Sequence, residues 1–195
     1  MFWLDQNQAM PTEWFAGAPT PDQRSAWVGS VYRVALAHHA DGFFEVVPFV
    51  FGAYRYLMYF ASLAGEVPGD DEQEVRDFIR TWAHDFEPDM RTSRLVKFMR
   101  ADAINRDHIY EPDSWRLDNP RQIFSFGQHL LEIVVYHSRL IAETRQYFYK
   151  PAPGLGRFYD RICHCNQLLI RELGFSAIHS VGLEDTGYIG YEKQR

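Results

Sequence analysis

The sequence predicts an all-α protein: a single domain over residues 1–195, folded as a bundle of five to seven helices with an irregular aromatic arm at its N-terminus. Three observations predict it. Apolar residues recur at three- and four-residue intervals in successive segments, the spacing that lines one face of a helix. Those segments are punctuated by helix-start and helix-stop residues, caps and prolines at one end and glycines at the other. No two runs are joined by a convincing hairpin signal.

Taken in order, residues 1–20 mix Phe2, Trp3, Leu4, Trp14 and Phe15 with Pro11 and Pro19, which suits an arm laid over the bundle by its aromatic rings. Thr20-Pro21-Asp22-Gln23 starts a helix, with Thr20 as cap, Pro21 in the first turn and Gln23 reaching back. Trp27, Val31, Val34 and Ala35 form its stripe, and Asp41-Gly42 stops it after about His39.

Gly42 to Gly65 is the most apolar stretch, and the rest of the chain is arranged around it. Phe49, Ala53, Tyr56, Leu57, Phe60 and Leu63 fall on one helical face, while Phe51, Tyr54, Met58 and Tyr59 make the other apolar as well. A helix apolar nearly all round belongs in the middle of a bundle. Its aromatic and β-branched content also suits a buried strand, but the sixteen residues from Phe49 to Ala64 exceed a usual strand and favour a helix. A membrane span is disfavoured because Glu45, Pro48 and Arg55 interrupt the run, each ion costing roughly 2.5–3.5 kcal/mol at bilayer depth.

Asp70 caps the next helix, whose Val75, Phe78, Ile79, Trp82 and Phe86 share a face before Pro88 ends it. Thr92 to Asn105 is a further helix with Leu95, Phe98, Met99 and Ala103 inward; Arg106 to Asn119 is a long connection. Asn119-Pro120 then opens the longest helix, to about Tyr149, burying Ile123, Gly127, Leu130, Leu131, Val134, Ile141 and Phe148. Pro151, Pro153, Gly154 and Gly156 break the chain before a last helix, Arg157 to Leu173, capped by Gly174. Residues 175–195 form a tail.

Hydrophobic content of 46% and charged content of 24% are those of an ordinary globular protein, which excludes disorder as an organising theme. A net charge of −6 disfavours unspecific attraction to nucleic acid, which needs clustered Lys and Arg. Cys163 and Cys165 are two apart on a helix, about 200° from each other, so they form neither a disulfide nor a shared metal site. With no secretory leader in view, the expectation is a reducing, cytoplasmic setting.

Two sets of residues can carry chemistry. His129 with Glu132, and Asp160 with His164, are each spaced to share a helix face, and they lie on the last two long helices, which a short connection makes neighbours. Completed by His38, His39, Glu45 or His84, such a mixture of imidazole and carboxylate suits iron, manganese or zinc. Cys163 beside His164 makes no catalytic dyad, because consecutive helical residues diverge by about 100°.

The second set rests on a resemblance. Arg33-Val-Ala-Leu-Ala-His38 has an Arg-x4-His spacing, and Leu95 to His108 ends in Arg100, Arg106 and His108 at a loop entrance. In both respects the chain resembles the HEPN-superfamily ribonucleases. The resemblance implies a helical bundle that self-associates and contacts RNA, with Arg100, Arg106 and His108 as the residues to test. Ala103 and Ile104 stand where that family has Arg and Asn, so the resemblance implies a degenerate relative, non-catalytic at least as readily as a nuclease. Tyr54, Tyr56, Tyr59, Tyr147, Tyr149, Trp3 and Trp14 are residue types favoured at protein interfaces. The functional expectation is therefore a helical interaction module, a homo-oligomer or a subunit for a protein partner, associated with RNA. The alternative is a metal-dependent enzyme using His129, Glu132, Asp160 and His164.

Overall fold

A mixed β-sheet, not a helical bundle, organises the chain in the computed structural model, which describes residues 10–22, 25–35, 43–63, 91–103, 117, 119–151, 156–178 and 188–194. Its strands are β1 (Ala26–Val28), β2 (Tyr32–Ala35), β3 (Phe43–Phe51), β4 (Tyr54–Ser62), β5 (Ser93–Arg100), β6 (Gln146–Tyr149), β7 (Phe175–Ile178) and β8 (Ile189–Lys193). Its helices are α1 (Ile123–Leu140), α2 (Gly156–Cys165) and α3 (Gln167–Glu172). The strands run in the order β1-β3-β4-β5-β6-β8-β7, with β2 also paired to β3. Only the β5–β6 pairing is parallel, and the chain between those strands contains α1, as a parallel join requires a crossover.

The all-α expectation is therefore overturned, and with it the HEPN-like bundle, whose architecture this sheet does not share. The cause is visible in β3 and β4. Every residue from Phe44 to Phe51 is buried, and so is every residue from Tyr56 to Ser62. A strand covered on both faces loses its alternation and becomes a continuous apolar run. Any such run also contains a three-four pattern, so Gly42–Gly65 satisfied the helical template without being helical. Phe51 pairs with Tyr54, leaving Gly52 and Ala53 as a two-residue hairpin turn, and Gly52 takes φ +57° as such turns demand.

The two faces carry two cores. Directly opposed residues of an antiparallel pair share a face. On one side Phe44, Val46, Val50, Leu57, Tyr59, Leu95, Met99 and Phe148 meet Trp14 and Phe15 of the N-terminal arm. On the other, Phe49, Phe51, Tyr56, Phe60 and Tyr147 meet Phe126, Leu130 and Ile133 of α1. Burying a large side chain contributes about 1.5–3 kcal/mol, so double coverage makes β3 and β4 the centre of the molecule.

The helix expected over Thr20 to His39 is instead β1 and β2, which behave as one bulged strand. Val28 lies opposite Phe49 and Tyr32 opposite Val46, so three residues of the β1–β2 step face two of β3. That extra residue defines a bulge. Gly29 N–H donates to the Pro48 carbonyl at 2.8 Å, so Pro48, which has no N–H, turns its gap in the ladder toward the bulge.

The helix expected over Thr92–Asn105 is β5 followed by a 3-10 turn at Ala101–Ala103. The long helix expected from Pro120 to Tyr149 stops at Leu140, and the chain re-enters the sheet as β6. No Pro or Gly marks that change, so pairing with β5 and β8 decides it. Within the last expected helix, α2 and α3 part at Asn166, whose Nδ2 donates to the Ile162 carbonyl at 2.9 Å, and Gly174 follows α3 at φ +77°. The amphipathic helix expected over residues 70–87 lies outside the described residues. Among the described residues, no helix is long and apolar enough to cross a membrane.

Candidate functional site

Two polar constellations form on the face that carries α1, one sealed and one open. Register assembles the first. Arg33 is opposite Glu45, Glu45 is opposite Phe60, and Arg94 is opposite Tyr147 across the parallel join. Helix α1 lowers His137 onto this row, its ring stacked on Phe60 with centroids 3.8 Å apart.

Glu45, Arg94 and His137 are each 0% exposed. Arg94 grips both carboxylate oxygens of Glu45, Nε to Oε2 at 2.9 Å and Nη2 to Oε1 at 3.3 Å. Its Nη1 donates to the carbonyls of Arg91 and Ser93. Arg33 reaches Glu45 Oε1 from the half-exposed edge at 2.9 Å and also holds Glu143. His137 Nδ1 lies 2.9 Å from the Tyr147 hydroxyl, while its Nε2 stands 3.7 Å from Glu45 Oε2, beyond hydrogen-bond length.

Burial alone would raise the Glu45 carboxyl. The neighbouring His137 and Arg94 outweigh it and hold the group at about 2. Burial also pushes the His137 imidazole below its ordinary value and the Tyr147 hydroxyl above it, so both are neutral at pH 7. The cluster's ions are paired and its centre is closed to solvent. It fastens β3, β5, β6 and α1 together.

The open constellation is a cleft of about 430 Å³ between α2–α3 and the β6-β8-β7 end of the sheet. Tyr149 is opposite Ile189, and Tyr191 is opposite both Tyr147 and Ala177, so these residues share the face turned toward α2. From above, Asp160, Cys163, His164, Gln167 and Arg171 line the same cleft. Asp160, Cys163 and His164 share one face of α2, and Gln167 and Arg171 share one face of α3. On an ordinary surface helix such an inward face would be apolar. Here it is polar, which opens the cleft.

Asp160, His164, Gln167 and Arg171 are exposed and form the rim, while Cys163 is half-buried at the floor. The Tyr149 hydroxyl lies 3.2 Å from Cys163 Sγ. Burial first, then the adjacent thiol, pushes the hydroxyls of Tyr149 and Tyr191 above the usual tyrosine range. Both phenols therefore keep their protons at neutral pH.

The structure places the sequence-predicted residues apart. His129 sits on α1 with Nδ1 3.4 Å from Glu132 Oε2, and its ring meets Phe49 and Phe51 near the β3–β4 turn. Asp160 and His164 line the cleft instead, to which neither His129 nor Glu132 contributes. Among the described residues, no three His, Cys, Asp or Glu side chains converge to hold a metal ion. Arg100 closes on Asp102 at 2.6 Å and lies over the Tyr54 ring at 3.7 Å. Arg106, His108, His38, His39 and His84 lie outside the described residues. Of the interface-type aromatics, Trp14, Tyr56, Tyr59 and Tyr147 are buried in the two cores.

Comparison with protein-family models, curated proteins and solved structures finds no match to this chain. Function therefore rests on the geometry. Sequence reasoning missed the Glu45–Arg94–His137 cluster and the tyrosine floor. A signal existed for the first: Glu45 is the only charge between Phe43 and Tyr54, and a lone ion in such a run needs a buried partner.

Proposed function

We propose that this protein is a small-molecule-binding domain whose site is the cleft under α2 and α3. One observation carries the proposal: a concavity of about 430 Å³ combines an aromatic floor with a polar rim whose Asp160, His164 and Arg171 have no ion-pair partner among the described residues. Ligand sites typically occupy 300–1,000 Å³, with apolar and aromatic walls and a few convergent polar groups. The sealed cluster supports this reading by fixing β6, the strand that positions Tyr149.

The test is ligand-observed NMR with a library of aromatic fragments. Wild type is expected to bind a subset in the micromolar to millimolar range. Ala177→Trp, which fills the cleft from an exposed position on β7, is expected to weaken those fragments at least tenfold with no change in melting temperature. Fragments that bind the filled variant as well as wild type, or a library without a single binder, would remove the proposal.

A second reading, self-association, is favoured by Leu168, which stands on α3 at 76% exposure. Light scattering is expected to give twice the monomer mass for wild type and the monomer mass for Leu168→Glu. A monomeric wild type ends that reading.

A further inference from the structure

We propose that the cleft selects ligands carrying an ammonium group, primary or methylated, seated between the Asp160 carboxylate and the rings of Tyr149 and Tyr191. The inference rests on the small-molecule reading of the cleft and assigns its ligand class.

Three observations converge on the cation. Asp160 is the one carboxylate among the residues that line the cleft, and no cation neutralises it among the described residues. It lies one turn before Cys163, whose Sγ is 3.2 Å from the Tyr149 hydroxyl, which places it at the tyrosine end. There the floor is aromatic: Tyr149 and Tyr191 both line the cleft from the same sheet face. Aromatic faces are negative and attract an ammonium ion within about 6 Å of the ring centre. A carboxylate above such a floor adds an ion pair to that attraction.

The one rim guanidinium does not cancel this. Arg171 sits on α3, past the break at Asn166, whereas Asp160 sits on α2 one turn before Cys163, whose Sγ meets the Tyr149 hydroxyl. Ile170, Phe175 and Ile189 line the space between and suit an apolar body attached to the ammonium group.

Calorimetric titration of three probes of similar size separates the possibilities: 2-phenylethylamine, 2-phenylethanol and 3-phenylpropanoate. The amine is expected to bind at least tenfold tighter than the alcohol. Asp160→Asn is expected to bring the amine to the level of the alcohol and leave the alcohol unchanged. Equal affinity for amine and alcohol, or tightest binding of the acid, overturns the ammonium assignment and leaves the cleft reading intact. No binding of any probe overturns it as well. Whether the cleft reading falls with it is then decided by the fragment screen against Ala177→Trp, which does not depend on ligand charge.

Discussion

Arg94→Met is expected to destabilise the protein by roughly 3–5 kcal/mol, the cost of stripping the partner from a buried ion. The effect follows from where the charges sit. Arg94 and Glu45 are both fully buried, and the Arg94 guanidinium contacts both oxygens of the carboxylate. Without it, Glu45 keeps only Arg33, which approaches from the half-exposed edge, and an imidazole 3.7 Å away. For a chain of 195 residues each kcal/mol lowers the melting temperature by roughly 2–4 °C, so a fall of about 10–15 °C should be seen by circular dichroism.

The control is Glu45→Met combined with Arg94→Met. Replacing both ions with apolar groups of similar volume leaves neither uncompensated, so the double variant is expected to recover most of the loss. Arg33→Met should cost under about 1 kcal/mol, because its side chain is 49% exposed and water already screens it. An Arg94→Met protein within 1 kcal/mol of wild type would show that the cluster does not hold the sheet.

How far the sequence reaches can be judged from the same residues. The helical periodicity that was real lies in α1, where Phe126, Leu130, Ile133 and His137 are buried at three- and four-residue spacing, and in α2, where Asp160 and His164 share a face as expected from their spacing alone. Local geometry fixes both. In β3 and β4 the same test misleads, because coverage by the N-terminal arm on one side and α1 on the other erases alternation. Pro48 and Gly52 inside that run were the local evidence against a helix, since each is costly in a helix interior. What Asp160 and His164 face was not legible. Tyr149 and Tyr191 are 42 residues apart and meet only through the β6–β8 pairing. The sealed cluster hides for the same reason: its members come from β2, β3, β5 and α1, joined by register, with no local motif among them.

Acid should weaken the fold through His137 first and through Glu45 at lower pH. Glu45 titrates near 4.5 in an unfolded chain and at about 2 in the fold, so its contribution is complete above pH 4.5 and is lost as pH falls toward 2. That gap corresponds to a stabilisation on the order of 3 kcal/mol. His137 acts with the same sign over a higher window. Its folded pKa lies below the 6.5 of the free imidazole, so the unfolded chain takes up its proton first and stability begins to fall as pH drops below 6.5. The groups around it fix that direction: burial and the Arg94 guanidinium oppose a charge on the ring, and Glu45 and Glu143 favour it without prevailing. Urea midpoints should therefore decline in two stages, one beginning below pH 6.5 and one below 4.5. His137→Phe keeps the stack on Phe60, removes the upper stage and, because His137 helps to lower the Glu45 pKa, makes the lower stage shallower. Glu45→Gln, which leaves Arg94 facing a neutral amide, lowers the whole profile and flattens its lower stage. A midpoint that stays constant from pH 8 to pH 4 in wild type would mean that His137 is not held neutral by its surroundings.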